Sequence, residues 1–213
     1  MTPAAALAIV AAVAVDPADG GRDPVAAPVV ARPEARAEPS IGRTAPDIVV
    51  PAAHGLALMT VMRVTESVIW PDPFSRPEQF GARYEEAFTK APKHDTRGRF
   101  MQWDGDPLVV NTVGHALFGS EIYLRARQCR FGWAGSLAFA AATSAVWEYG
   151  FEANGARPSA QDLVYTPLAG LVLGEARFLL HRAARRLRGA TRVVVRGVLD
   201  PFGEIERAAG TDC

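Results

Sequence analysis

The stretch SAQDLVYTPLAGLVLGEARFLLHRAARRLR, residues 159–188, predicts a long helix. Its first four residues have the form of a capping box, with Asp in place of the usual Glu. Asp162, Thr166, Gly170 and Gly174 are spaced four residues apart. Residues at i and i+4 share a helix face. The helix therefore carries one stripe of polar and small residues within an otherwise apolar sequence.

Two earlier stretches, WDGDPLVVNTVGH (residues 103–115) and SAVWEYGFE (residues 144–152), also carry polar residues at four-residue spacing. These are Asn111 and His115 in the first stretch, and Ser144, Glu148 and Glu152 in the second. We expect helices over residues 107–127 and 133–152, each with one polar stripe. The three stripes can meet in one bundle, which gives a site-like arrangement.

The rest of the chain completes a predicted all-α fold, a small helical bundle with three long helices and one or two shorter amphipathic ones. Residues 54–70 predict an amphipathic helix, and 77–88 a short one with an aromatic stripe. The expected organisation is a candidate signal peptide at 1–15, a disordered Pro/Ala-rich tail at 16–51, the helical domain at 52–190 and a C-terminal tail at 191–213.

Composition excludes several classes of protein. The 213 residues contain 23 basic and 23 acidic side chains, so nothing suggests a nucleic-acid partner. The two cysteines, Cys129 and Cys213, are far apart and lack metal-type spacing. This argues against a disulfide framework or a thiolate zinc site, and we expect Cys129 to be an ordinary structural thiol.

The length and charge pattern of the long helices favour a membrane over the alternative, a soluble Ala-rich bundle. Each helix contains a run of eighteen or nineteen residues with one or two formal charges, and about 20 mostly apolar residues span a bilayer. Arginines cluster after the first helix and again after residue 176, where seven occur without an acid up to residue 199. By the positive-inside rule the polar site then lies toward the non-cytoplasmic side.

The polar stripes supply the candidate site residues. We assign candidate acid–base catalytic roles to His115, Glu148 and Asp162. Candidate binding residues are Asn111, Glu152, Arg157, Ser159 and Thr166. An imidazole and carboxylates also suit divalent ions, but we assign neither a metal nor a cofactor from sequence. His115 should contact a carboxylate from another helix, Glu148 in the first place, and a purely structural polar network is the alternative.

A family resemblance rests on these same residues. Asn111, His115, the Trp147-Glu148 pair and the Ser159-x-x-Asp162 motif occur in one order, within a region of about 100–180. This region resembles the bacterial family catalogued as domain of unknown function 3943. The resemblance implies a membrane or envelope protein with no established activity.

More distantly, residues 148–174 are similar to VanZ-like membrane proteins, which have an Arg-x-x-Ser-x-x-Asp segment before a glycine-paired helix. Here the segment is one residue shorter, running from Arg157 through Ser159 to Asp162. The similarity implies a role at the cell envelope in handling lipid or glycopeptide-type molecules.

The sequence thus predicts a bacterial cell-envelope membrane protein with a polar intramembrane site and membrane lipid as partner. One alternative is a hydrolase or transferase that acts on a lipid-linked small molecule, with His115 or Glu148 as base. The other alternative is a structural or partner-binding bundle without catalysis.

Overall fold

The computed structural model describes residues 45–213, and every regular element among them is helical. The candidate signal peptide and most of the expected N-terminal tail lie outside the described residues, whereas residues 49–51 already belong to the first helix. Within the described residues, the one isolated bridge joins Lys93 to Ser159. The prediction of an all-α fold is therefore confirmed for this part of the chain.

The helices follow one another with short connections, apart from the segment between residues 89 and 110. They are α1 (Val49–Ile69), α2 (Pro71–Phe74), α3 (Pro77–Thr89), α4 (His115–Gln128), α5 (Trp133–Val146), α6 (Ala160–Ala184), α7 (Gly189–Leu199) and α8 (Pro201–Ala209). A π-helical segment, Val110–Gly114, leads into α4, and another, Trp147–Glu152, extends α5. Such segments are rare and often occur at functional sites. Both lie at the polar stripes.

The contact between α4 and α6 is the closest in the bundle, because glycines let the two backbones meet. A Cβ atom at Gly119 would lie 2.2 Å from the carbonyl oxygen of Thr166. One at Gly170 would lie 2.7 Å from the backbone of Gly119. Around this contact the core is formed by Phe118, Ile122 and other buried apolar residues of α1, α4 and α5. The four-residue glycine spacing on α6 therefore serves helix packing.

Helix α1 lies against the same bundle and is held at its second half by one arginine. Arg63 is buried and donates hydrogen bonds to the carbonyl oxygens of Phe151 (3.0 Å) and Phe74 (2.7 Å). It also donates to the side chain of Asn154, at 2.6 Å. These bonds join α1 to the end of α5 and to the turn that follows α1.

The C-terminal segment, expected as a tail, forms α7 and α8 and folds back onto α4. Asp200 begins α8 and accepts hydrogen bonds from Arg125 (3.3 Å) and Gln128 (2.7 Å). Cys213 thereby meets Cys129 in a disulfide that spans 84 residues of sequence. The expectation that these cysteines stay unpaired is wrong, because the fold rather than the sequence spacing brings them together.

The outer surface of the four long helices carries almost no charge. No exposed residue of α1 is charged, and between residues 107 and 180 the only exposed charged residue is Arg130. Large apolar side chains such as Val68 (76% exposed) and Val172 (75% exposed) cover this surface instead. Ala160–Ala184 is the one described helix that is long and apolar enough to cross a membrane, a weak indication of membrane association.

Candidate functional site

The polar stripes of the three long helices face one another inside the bundle. Asn111 and Thr166 are fully buried, and Glu148, Asp162 and His115 are 1%, 2% and 7% exposed. Each of His115, Glu148 and Asp162 has one potential ligand atom, a ring nitrogen or a carboxylate oxygen, that lies within 4.8 Å of the corresponding atoms of the other two. We call these three residues the triad. Each of its members comes from a different helix, as the i, i+4 pattern predicts.

His115 lies between a hydroxyl group and a carboxylate of α6. Its Nδ1 atom is 2.9 Å from Thr166 Oγ1, a hydrogen-bond distance. Its Nε2 atom is 3.6 Å from Asp162 Oδ2, which is too long for a hydrogen bond. The carboxylate that approaches the imidazole is therefore Asp162 and not Glu148, the partner expected from the sequence.

Glu148 points to the start of α6, and this explains why it is not the histidine's partner. Its Oε2 atom accepts a hydrogen bond of 2.7 Å from the backbone N–H of Ser159. The first N–H groups of a helix have no partner within the helix and attract a carboxylate. The Ser159 hydroxyl caps the same helix end by accepting a bond of 3.2 Å from the N–H of Asp162.

Asp104 is a further member of the polar site that the sequence interpretation missed. Its carboxylate accepts hydrogen bonds from Asn111 Nδ2 (2.7 Å), from Ser159 Oγ (2.8 Å) and from the N–H of Asp106 (3.0 Å). The Asp-Gly-Asp-Pro turn is a signal that could have found it, because Asp in such turns bonds nearby backbone N–H groups. Asp104 thus joins the loop before α4 to α6.

The two loop carboxylates differ in pKa because their surroundings differ. Burial raises the pKa of Asp104, but the hydrogen bonds that its carboxylate accepts outweigh burial and leave the pKa below its usual value. Burial raises the pKa of Asp106 above its usual value, and the nearby charge of Asp104 adds to this effect.

Several acceptor oxygens in and around the triad have no hydrogen-bond partner among the described residues. They are Glu148 Oε1, Asn111 Oδ1 and Gln161 Oε1. A buried oxygen without a donor is costly and calls for an explanation. The triad also has no lysine or arginine as a hydrogen-bond or ion-pair partner within residues 45–213. Its chemistry favours a positively charged or proton-donating ligand.

The remaining sequence-predicted residues lie in two different places. Glu152 lines a cavity of about 260 Å³ beside the triad, together with His115, Glu66 and Asp106. Arg157 lies outside the polar site, and its Nη1 atom is 3.7 Å from the carboxylate of Glu86 on α3. The geometry thus brings all the predicted site residues to one end of the bundle but separates Arg157 from the triad.

A second, apolar cavity of about 520 Å³ continues from the first toward the other end of the bundle. The two cavities share Met62, Gly114 and Phe118 as lining residues. The walls of the second are mainly aliphatic and aromatic and reach Phe202 in α8. Together they form a groove between α1 and α4 that is acidic at one end and apolar along most of its length.

At the arginine-rich end of the bundle, the glutamates form ion pairs with arginines. Glu121 lies 2.6 Å from Arg177 and 3.4 Å from Arg125. Glu175 lies 2.7 Å from Arg127. Glu121 thus pairs with arginines of both α4 and α6, and Glu175 of α6 pairs with Arg127 of α4.

These features define an all-α bundle whose long helices have a nearly uncharged outer surface, with a buried polar site at one end. Residues 100–202 match the family model described as Domain of unknown function (DUF3943), which confirms the family resemblance of this part of the chain. The match extends the region of resemblance past α6 and into the start of α8. No curated protein and no solved structure matches the chain.

Proposed function

We propose that this protein is a bacterial cell-envelope membrane protein that binds a lipid or a lipid-linked small molecule at its polar site. The observation that carries the proposal is the distribution of polarity. Charged groups lie inside the bundle, whereas the exposed surface of α1 and of residues 107–180 is uncharged apart from Arg130. Soluble monomers rarely expose an apolar surface of this extent.

The dimensions of the helices agree with a bilayer. Helix α1 has 21 residues and α6 has 25, which correspond to about 32 and 38 Å at 1.5 Å per residue. The hydrocarbon core of a bilayer is about 30 Å thick. Inside it, Arg63, Glu121 and Arg125 all have polar partners, as ionisable groups in membrane helices require.

The groove between α1 and α4 suits an amphiphilic ligand. Its acidic end, with His115 and Glu152, offers hydrogen-bonding and charged groups to a headgroup. Its apolar part, with Leu117, Phe118 and Phe202, offers surface to an acyl or prenyl chain. A ligand of this kind gains about 25 cal/mol for each Å² of apolar surface that it buries.

Catalysis on such a ligand is a second candidate function. His115 lines the cavity and also lies 3.6 Å from Asp162, so an imidazole–carboxylate pair is within reach of a bound headgroup. This is the geometry of a general acid or base. A hydrolase or transferase predicts that His115→Asn abolishes turnover of a lipid phosphate or ester while bound lipid is retained.

Two features bear on the orientation in the membrane, and they point in opposite directions. The arginines after α6 favour a cytoplasmic position for their end of the bundle. The Cys129–Cys213 disulfide lies at the same end and favours an oxidising compartment. We give precedence to the disulfide, because the arginine rule is a statistical bias. The proposal therefore has the disulfide end outside the cytoplasm and the triad toward the cytoplasmic side, opposite to the expectation from sequence.

Membrane insertion and orientation are tested together with two engineered cysteines. Thr191 and Thr96 are exposed and lie at opposite ends of the bundle. In intact cells an impermeant maleimide should label the Thr191→Cys variant. The Thr96→Cys variant should be labelled only after the cells are lysed. The native cysteines should not react in either case, because they form the disulfide. The reverse labelling would contradict the orientation. Release of the protein from membranes by alkaline carbonate would contradict insertion.

Ligand binding is tested by filling the groove at Gly114, which both cavities share. A Cβ atom there meets nothing closer than Val110 Cγ1 at 3.9 Å, so the backbone at this position has room for a side chain, and we expect Gly114→Leu to fill the groove. We expect the variant to lose the lipid that copurifies with the wild type, measured by mass spectrometry of an organic extract. Ala138→Leu on the exposed face of α5 is the matched control. Equal lipid content in all three proteins would overturn the proposal.

A further inference from the structure

We propose that the triad of His115, Glu148 and Asp162 is a binding site for one divalent transition-metal cation, with Zn²⁺ as the best-fitting ion. This inference rests on the proposal that the polar site binds a ligand, but it does not depend on the lipid groove. It is argued from the orientation of the three side chains, from their spacing and from an acceptor that has no partner.

Each triad side chain is held by one atom and presents another to a common space. Thr166 holds His115 at Nδ1, which leaves Nε2 toward Asp162. The N–H of Ser159 holds Glu148 at Oε2 and leaves Oε1 without a partner. Gln161 Nε2 lies 3.4 Å from Asp162 Oδ1, and the Asp104 carboxylate is also hydrogen-bonded to the Asp162 side chain, whose Oδ2 atom lies toward the imidazole. Metal ligands in proteins are oriented in this way by hydrogen bonds to their other atom.

The spacing of the free atoms fits a shared cation better than it fits hydrogen bonds between them. His115 Nε2 and Asp162 Oδ2 are 3.6 Å apart. Two ligand atoms at ~2.0–2.1 Å from a tetrahedral zinc ion are about 3.4 Å apart. One ligand atom from each triad residue fits within a 4.8 Å group, so small side-chain movements suffice to bring all three to bonding distance.

The unpartnered oxygen of Glu148 is the independent indication of a ligand. Glu148 is 1% exposed, and its Oε1 atom has no hydrogen-bond donor among the described residues. A buried carboxylate oxygen without a donor or a cation is strongly unfavourable. At the arginine-rich end, by contrast, Glu121 has arginine partners. A bound cation would give the Glu148 carboxyl group the positively charged partner that the arginines give Glu121.

The donor set selects the class of ion. One imidazole nitrogen and two carboxylate oxygens suit zinc and neighbouring first-row divalent ions, whereas calcium and magnesium prefer oxygen alone. Three protein ligands leave a fourth tetrahedral position for water or a bound ligand. Because His115 also lines the 260 Å³ cavity, a ligand in the groove would lie close to that position.

The test measures zinc binding by the full chain purified in detergent and stripped with EDTA. We expect one zinc per chain by elemental analysis after loading with ZnCl₂, with the affinity measured against a chromophoric chelator. Glu148→Gln and Asp162→Asn, which keep size and shape, should weaken binding at least tenfold. His94→Gln, which removes an exposed histidine outside the triad, should bind as the wild type does.

A positioning variant separates a metal site from a general loss of structure. Thr166→Val removes the partner of His115 Nδ1, and the affinity for zinc should fall about 10- to 100-fold while thermal stability in EDTA changes little. Absence of stoichiometric zinc in the wild type, or zinc binding that survives both carboxylate substitutions, would overturn the inference. Gly114→Leu should keep zinc while it loses lipid, so the two proposals fail independently.

Discussion

The two ends of the bundle differ in the partners that their buried carboxyl groups have. At the disulfide end, the carboxylates of Glu121 and Asp200 are within ion-pair distance of arginines, including Arg125 for both. At the triad end, Glu148 and Asp162 have no lysine or arginine partner among residues 45–213. Asp162 lies 3.6 Å from the imidazole of His115, and Glu148 keeps one oxygen without a described partner. The first arrangement neutralises charge within the protein. The second leaves acidic groups that a bound cation can complete.

We infer from this difference that the disulfide end stabilises the fold and the triad end binds a ligand. A buried ion pair is destabilising when one partner is removed, because an uncompensated charge remains. A site that binds a cation has no such ion pair when it is empty, so replacement of one of its buried carboxyl groups by an amide breaks no ion pair and removes an acidic group that is costly to ionise. Substitutions at the two ends should therefore have opposite effects on the stability of the ligand-free protein.

The largest effect is expected at the disulfide end, from Arg125→Met. This change removes the buried guanidinium that Glu121 and Asp200 share, although Glu121 keeps Arg177 and Asp200 keeps Arg207. The loss should cost up to about 3–5 kcal/mol of unfolding free energy. Denaturant titration in detergent, followed by tryptophan fluorescence, measures it. Arg192→Met, an exposed arginine in α7, is the control and should change stability little. A loss below about 1 kcal/mol would show that the ion pairs are not structural.

The sequence could predict the polar stripes but not this division of roles. The i, i+4 spacing that places Asn111 beside His115, and Asp162 beside Thr166, follows from helix geometry alone. The choice of Asp162 over Glu148 as the neighbour of His115 depends on the N-terminus of α6, which captures Glu148. That competition exists only once the helices are packed.

Two other features depend on the folded chain in the same way. Asp104 lies in a loop, where no periodicity marks it, and gains its role from Ser159, which is 55 residues away. The pairing of Cys129 with Cys213 requires α8 to fold back along α4. Local patterns thus predicted the helices and their faces, whereas long-range partners needed the structure.

The next largest effect is expected from loss of the disulfide between Cys129 and Cys213. Cys213→Ser removes the disulfide to Cys129 and should lower the unfolding free energy by ~2–4 kcal/mol, because the unfolded chain loses a constraint on a long loop. Asp212→Ser, one residue earlier and exposed, is the matched control. Addition of a reductant should destabilise the wild type by the same amount and leave the variant unchanged. A wild type that is insensitive to reductant would contradict the role of the disulfide.

At the triad end, Glu148→Gln should change the unfolding free energy of the metal-free protein, measured in EDTA, in the opposite direction. The amide oxygen still accepts the hydrogen bond from Ser159, and no ion pair is lost, so stability should stay equal or rise by up to about 1 kcal/mol. With ZnCl₂ at a hundred times its dissociation constant, the wild type should gain about 2.7 kcal/mol and the variant nothing. A large destabilisation of the variant in EDTA would indicate a purely structural network.

The last prediction concerns the pH dependence of stability that Asp104 contributes. Hydrogen bonds hold the pKa of Asp104 below its usual value despite its burial, first the one from the Asp162 side chain and then those from the N–H of Asp106, from Asn111 and from Ser159. A carboxylate with a lower pKa in the folded state than in the unfolded state stabilises the fold above the unfolded pKa, about 3.9 for Asp. That stabilisation is lost as the pH falls through the folded pKa.

Asp104→Asn removes this titration, so the variant should be less stable than the wild type at pH 7, by about 1–3 kcal/mol for an impaired buried hydrogen-bond network. The difference should shrink as the pH falls below about 4, because protonated Asp104 also loses acceptor capacity. Thermal unfolding in EDTA at pH 7, 5 and 3 measures it. Asp212→Asn, at an exposed aspartate near the C-terminus, serves as control. A gap between Asp104→Asn and the wild type that stays constant with pH would show that Asp104 does not link the loop to α6 through its charge.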